Sequence, residues 1–394
     1  MSTREADICV IGAGLVGCFS ALFLAQRGFH VILLDKGMAG REASGTSFGT
    51  LRMQGRHPAK FPLAVLSHAA WEQFTGLTGE QCGYQRSGHS YLALDSSENA
   101  RIDQYAREAA EAGLNVEVLS GKAARRRWPL LSERVTRASW SPRDGISDPR
   151  LTGPAVARGA ARQGATILEN TAVTAIVPTN PGFRVETRAG VTLICDKIVN
   201  AAGAWSGQFA RSLGEPVPMF PAGPPIVETE ARPLLGITSF LCIDGSIILR
   251  QHSDGRFWIA SLSRQQADLV AGNATVPQER VASIMRRLAE ICPSLAELKP
   301  VRAWSGVEGY LPDMMPVIGP SSTTPGVVHA FGMSCRGYQI APGVGHVVAE
   351  LVTKGRSAIA IDEFAISRFA GRVKTHKSLF PSLDPVTMQA IRQR

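Results

Sequence analysis

The chain has no Cys-x-x-Cys pair, no Cys/His pair at metal-ligand spacing, no low-complexity block and no regular repeat. Each absence excludes a class of protein. The seven cysteines, at 9, 18, 82, 195, 242, 292 and 335, are odd in number and scattered through 394 residues. That argues against a disulfide framework, a zinc site or an iron–sulfur site of the chain's own, and fits a reducing cytoplasm. Basic residues exceed acidic ones by nine, yet they are dispersed. The densest run, Arg125–Arg126–Arg127, has no aromatic residues interleaved as a stacking platform for nucleic acid. An anionic ligand or an acidic partner subunit explains the charge as well, and no nucleic-acid partner is expected. Residues 8–26 carry no charge, but three glycines at close spacing and the strand-like "ICVIG" argue against a membrane span. No basic n-region or small-residue cleavage site suggests a signal peptide.

What is present begins with "ADICVIGAGLVGCFSALFLAQRGFHVILLDK". Residues 6–11 are apolar apart from Asp7 and unbroken from Ile8 on, as expected of a parallel strand covered on both faces. Gly12, Gly14 and Gly17 fit G-x-G-x-x-G: one glycine for the turn, one for pyrophosphate approach, one for close helix–strand packing. The helix that follows, starting near Leu15 and Val16, directs its N-terminal N–H groups at that anion. A second strand ends at Asp35, placed to accept hydrogen bonds from a ribose hydroxyl, with Lys36 beside it. Strand, turn, helix and acid in register predict an ADP-containing dinucleotide without separating FAD from NAD.

The next segment separates them. "REASGTSFGTLRMQGRH" (41–57) is small and polar where an NAD enzyme would continue with alternating strands and helices. It resembles the flavin loop of the D-amino-acid oxidase superfamily, particularly the glycine oxidase and sarcosine oxidase branches. "VNAAGAWS" (199–206), "WSGVEGYLPDMMPVIG" (304–319) and "HAFGMSCRGYQIAPGVGHVVAELV" (329–352) resemble three further stretches of that family. The resemblance implies an α/β fold: a Rossmann-like FAD domain of the glutathione reductase type, parallel sheet plus antiparallel meander, interleaved with an α+β substrate domain on a mixed sheet. The FAD domain is expected at 1–82, 150–213 and 302–370, and the substrate domain at 83–149 and 214–301. Residues 371–394 form a basic, polar tail. Local cues agree: Asp148–Pro149 reads as a helix start, Asp254–Gly255 as a hairpin turn, and "PQERVASIMRRLAEICP" as an amphipathic packing helix.

By that resemblance FAD would be held non-covalently, since no cysteine stands upstream of Pro312–Asp313 where sarcosine oxidases tether theirs. Its contacts would be Ser44, Ser47, Gly49, Thr50 and Leu51 in the flavin loop, then Val173, Ala202, Gly203 and Trp205. Gly306, Gly332, Arg336, Gly337, Tyr338, Gln339 and Ile340 would complete them at the C-terminal end. The implied reaction is hydride transfer from a carbon bearing an amine to the flavin. Arg52 matches an arginine that sarcosine oxidase-like sequences carry beside the flavin and is readable equally as a functional or a structural residue; Arg250 and Arg302 are weaker candidates for a substrate carboxylate, read first as structural salt bridges. Glu308 stands where the glycine oxidase branch carries an arginine, and either attracts a cationic group or pairs with Arg302 or another core arginine. The wording of the 304–319 box resembles the β subunits of opine oxidase, D-hydroxyproline dehydrogenase and hydrogen cyanide synthase, which pass electrons to partner subunits. A self-sufficient oxidase, a tRNA-modifying flavoprotein and a non-catalytic electron-transfer subunit are the alternatives.

Overall fold

The sequence's apolar runs become strands that are buried on both sides. In the computed structural model, which describes residues 2–370, Ser2–Ile11 runs through the middle of an eight-stranded sheet. It lies parallel to Val191–Asn200 on one side and Val31–Leu34 on the other. Ile8 and Val10 enter one core cluster with Val31 and Leu33, whereas Cys9 and Ile11 enter another with Ile32 and Leu34. Alternate side chains therefore face different apolar layers, which is why the run is unbroken rather than alternating. Thr166–Leu168 extends the sheet in parallel at one edge, and Val327–Phe331 does so at the other. Val317–Pro320 closes that second edge in antiparallel fashion. Val173–Pro178 and Phe183–Thr187 form an antiparallel meander onto Val191–Asn200.

The helix Leu15–Ala25 is buried along nearly its whole length. An all-apolar helix of this kind needs cover all round. The helices Pro149–Arg162 and Gly337–Lys354 supply it. Close approach to the latter depends on Gly345, where a Cβ would lie 2.7 Å from the Phe19 Cβ. The expected helix start holds: the Asp148 side chain accepts from the Arg150 N–H at 2.9 Å, with Pro149 in first position.

A second eight-stranded sheet is mixed. Its order is Pro300–Ser305, Pro225–Ala231, Arg256–Ala260, Ile248–Gln251, Ser239–Cys242, His89–Ala93, Arg137–Ser141 and Glu117–Ser120, with one parallel pair in the middle. The Asp254–Gly255 hairpin joins Ile248–Gln251 to Arg256–Ala260. Gln278–Ile291 is the expected packing helix, burying Ile284, Leu288 and Ile291 against this sheet. Pro300–Ser305 pairs here across the boundary expected at 302.

Two small sheets tie the halves together. Thr50–Leu51 pairs with Gly145–Ile146, and Phe220–Gly223 lies between Gln265–Gln266 and Glu308–Tyr310. No helix among the described residues is long and apolar enough to cross a membrane. The tail expected at 371–394 lies outside the described residues.

Candidate active site

The carboxyl ends of the central parallel strands open into a cavity of about 720 Å³, counting its mouth. Its lining is mostly backbone and small side chains: Gly14, Ala43, Ser44, Ala201, Gly203 and Gly332. The first glycine turn has no room for side chains. A Cβ on Gly12, whose φ is 101°, would lie 2.4 Å from the Ala201 carbonyl oxygen, and one on Gly17 only 1.8 Å from that of Gly12. Both obstacles are backbone, so neither can swing aside. The Ser44 hydroxyl accepts from the Leu15 N–H at 2.9 Å, capping the helix from the flavin loop. Asp35 accepts from the N–H groups of Ala13 (2.7 Å) and Gly37 (2.8 Å), holding the turn in place. Burial pushes its carboxyl up, against those bonds and Lys36. Lys36 pairs with Glu42 at 2.7 Å and lies 3.8 Å over the Trp205 ring. Thr171 donates from its backbone to the Asp35 carbonyl at 2.6 Å, which brings Val173 to the same corner. A side-chain-free cradle at a helix N-terminus, with an acid beside it, suits a dinucleotide diphosphate and ribose, so the residues present fit FAD.

The far wall comes from the other end of the chain. Gly332 turns at φ 69°, followed by Ser334 and Cys335 at 51° and 66°. Non-glycine residues in that region cost about 1–3 kcal/mol each and persist only where the surroundings fix them. After this turn the helix Gly337–Lys354 starts, with Gly337, Tyr338 and Ala341 at the cavity. Tyr338 is clamped: its hydroxyl lies 2.9 Å from Ser147 and 2.8 Å from Thr152, and its ring stacks on Trp71. Pro342 lies inside this helix, where a proline removes a backbone donor, and the helix Phe61–Glu72 braces the interrupted turn. The Trp71 indole donates to the Gln339 carbonyl at 2.7 Å, and the Gly343 N–H donates to the Ser67 hydroxyl at 2.8 Å.

A second cavity, of about 880 Å³ with its opening, adjoins the first. Ser47, Glu308, Cys335 and Tyr338 line both. The second is cationic. Arg52, Arg56, Arg264 and Arg336 line it, with Glu308 as the single acid. The Arg52 Nη1 donates to the Gln54 carbonyl and to the Tyr91 hydroxyl, both at 2.8 Å. Arg56 donates to the carbonyls of Arg52 (2.8 Å) and Arg336 (3.2 Å). Burial and the neighbouring Arg52 push Arg336 down to about 10, which still leaves it a cation at neutral pH. Burial followed by Arg52 and Arg336 likewise pushes Arg56 down. Glu308 accepts from the Tyr310 hydroxyl at 2.5 Å; burial pushes its carboxyl up, against that bond and the charge of Arg264.

The residues singled out from sequence divide by position. Leu15, Val16, Ser44, Ser47 and Gly203 line the first cavity, and Thr50, Arg52, Gly306, Arg336 and Gln339 line the second. Gly49 is held at φ 75° against the Ser147 carbonyl. Leu51 and Ile340 are core residues behind the walls, and Ala202 packs against the layer beneath the meander. Arg250 is fully buried, donating to the Ser147 carbonyl at 3.0 Å, with its guanidinium 4.4 Å from the Trp258 ring. Arg302 is exposed and pairs with Glu228 at 3.3 Å, so the arginine beside Glu308 is Arg264. Sequence reasoning missed Arg56, His89, Arg264 and Tyr310. Tyr310 was within reach, because positions two apart on a strand share a face with Glu308. Arg264 belongs to no motif.

Comparison with known proteins agrees with this geometry. The sequence profile of the DAO family, described as FAD dependent oxidoreductase, matches residues 7–351. The chain is 27% identical to glycine oxidase of Geobacillus kaustophilus over 94% of its own length and 99% of that protein's. The crystal structure of that enzyme superposes with a TM-score of 0.86 at 26% identity, covering 93% of this chain and 100% of the other. A subunit of the opine oxidase of Rhizobium meliloti is 25% identical over 93% of this chain and 98% of its own. Mitochondrial sarcosine dehydrogenase of Homo sapiens is also 25% identical over 94% of this chain, which spans only 42% of that longer protein. With a glycine cradle from one end of the sequence and a helix start from the other lining one cavity, the chain belongs to the DAO family of FAD-dependent oxidoreductases.

Proposed function

We propose that the chain oxidises the C–N bond of a secondary amino acid, an opine or a proline-like compound, as the substrate-oxidising subunit of a larger dehydrogenase. The carrying observation is the junction of the two cavities at Ser47, Glu308, Cys335 and Tyr338, with the cofactor side lined by backbone and small side chains and the substrate side cationic. FAD, when bound, supplies the two-electron acceptor for the hydrogen and electron pair of the C–H bond next to nitrogen, and water then hydrolyses the imine. The protein's own part is to bind and orient. Arg52 and Arg336 receive an anionic group of the substrate. Glu308, with Tyr310 fixing its orientation, faces the amine end and takes up the proton the amine must lose, so that the neutral amine is the one oxidised. The N-terminal turn of the last helix presents its positive end to the cofactor cavity, where negative charge is favoured.

Similarity to the opine oxidase chain of Rhizobium meliloti along nearly the whole of both sequences supports the subunit role. Anaerobic addition of an opine or secondary amino acid to the yellow holoprotein bleaches the flavin; air then restores the colour slowly and an artificial dye quickly. Retention of colour with every amine in a broad panel would sink the reading. The similarity to glycine oxidase favours a second reading, a stand-alone oxidase, which rapid peroxide production by the isolated chain would establish. Acid precipitation is expected to leave the flavin in the supernatant.

A further inference from the structure

One cation of the substrate cavity has donors left over. Arg264 is 1% exposed and lines the cavity, yet its Nε and Nη1 have no hydrogen-bond partner. A buried guanidinium with unfilled donors is unfavourable unless a ligand completes it. Its placement is rigid. It directly precedes Gln265–Gln266, which pairs with Phe220–Gly223 in the small sheet that also carries Glu308–Tyr310. Its guanidinium lies 4.7 Å from the centre of the Tyr310 ring. That contact holds the guanidinium at the ring and leaves Nε and Nη1 for a planar partner.

The remaining cations of the cavity come from elsewhere. Arg52 and Arg56 arrive with the 41–57 segment, and Arg336 stands at the N-cap position of the last helix. These three contact one another through the Arg56 bonds to the Arg52 and Arg336 carbonyls. The lining thus has two cationic centres from different elements, four guanidinium groups in all against one carboxylate. A substrate with one carboxylate would fill one centre and leave the other unmatched.

We propose that Arg264 is a second carboxylate receptor, and that the cavity selects secondary amines flanked by two carboxylates, one on Arg264 and one on the Arg52–Arg336 side. This deepens the proposed function and rests on it for the amine, but the binding claim can be tested without any reaction. Such a substrate would lie with its nitrogen between the two receptors, near Glu308, at the junction with the cofactor cavity.

The test uses the flavin-containing full chain and probes that lack an amine: succinate and glutarate against propionate, with sulfate at equal ionic strength. Binding is read from perturbation of the flavin absorbance and from the shift in melting temperature. The dicarboxylates are expected to bind at least about tenfold more tightly than propionate or sulfate, a factor of ten corresponding to about 1.4 kcal/mol. Arg264→Gln should abolish that preference while leaving propionate binding intact, and Arg264→Lys should restore part of it. Equal affinity for succinate and propionate overturns the proposal. So does sulfate matching succinate, since the cavity would then read charge alone. Undiminished preference in a flavin-retaining Arg264→Gln protein also overturns it. Should that variant fail to fold, the wild-type comparison and Arg264→Lys still decide. If dicarboxylates bind as expected but no amine bleaches the flavin, the proposed reaction fails while the receptor stands. Bleaching without any dicarboxylate preference gives the converse.

Discussion

The two adjoining cavities are built on opposite principles. The side proposed for the cofactor is made largely of backbone: glycines that cannot carry a Cβ, helix N-termini and short side chains. The side proposed for the substrate carries long charged side chains that reach in from separate parts of the chain. Backbone cradles tolerate almost no substitution, because the obstacle to a new methyl group is itself main chain. Arginine forks can be moved from one element to another so long as their ends meet the same ligand. The first kind of site is therefore rigid in its geometry, and the second is where specificity is adjusted.

Four substitutions probe that contrast. Gly17→Ala would put a methyl group 1.8 Å from the Gly12 carbonyl oxygen. Overpacking of this kind costs about 3 kcal/mol or more. The expected result is a lowered melting temperature and purified protein with little bound flavin, read from the ratio of visible to ultraviolet absorbance. Normal flavin content would break the claim that the cradle has no slack. Arg52→Gln should leave the flavin in place and raise KM for a carboxylate substrate by about tenfold to a hundredfold, roughly the worth of a charged hydrogen bond. An unchanged KM would move Arg52 out of the recognition set.

The third substitution lies outside both cavities. Burial pushes Glu215 up, but hydrogen bonds from His329, Ser321 and Ser322 outweigh it and hold the carboxyl down to about 2. A depressed carboxylate contributes stability that is fully present above its unfolded value near 4.5 and is lost as pH falls through about 2. Glu215→Gln should therefore cost about 2 kcal/mol at pH 7, less than the full shift because water reaches the Ser321 side. It should also flatten the acid limb of the stability curve. An unchanged limb in denaturant titrations between about pH 2 and pH 5 would contradict this. Smallest of all is Arg302→Gln. Its partner Glu228 is buried but Arg302 itself is exposed, so a change within about 1 kcal/mol and an unaltered KM are expected. A large rise in KM would return Arg302 to the substrate site.

Legibility in the sequence follows the same division. The dinucleotide turn could be read because its demands are mostly local: Gly12, Gly14, Gly17 and Asp35 lie within one strand–helix–strand unit, and all but Gly12, which faces the distant Ala201 carbonyl, are fixed by contacts inside or just beyond it. The turn at Gly332–Gly337 was readable through family resemblance, although its left-handed residues, Ser334 and Cys335, are types that give no warning of such backbone. The arginines were harder. Arg52, Arg250 and Arg302 look alike in sequence, yet one lines a cavity, one is stacked on Trp258 and one pairs at the surface. Nothing local separates them, because the decision is made by how the second sheet docks on the first. Arg264 was invisible for the same reason: its importance comes from donors left without acceptors, which only tertiary structure reveals.

The cofactor cavity joins Gly14 to Gly337, residues at the starts of the first and last α-helices of the described chain. A ribosome making this protein releases the diphosphate turn early, and most of the polypeptide must still emerge before the opposite wall exists. A cofactor seated between these walls would therefore be enclosed only late in biosynthesis, and any chain cut short of the last helix would carry a nucleotide-binding signature with nothing to close upon the ring.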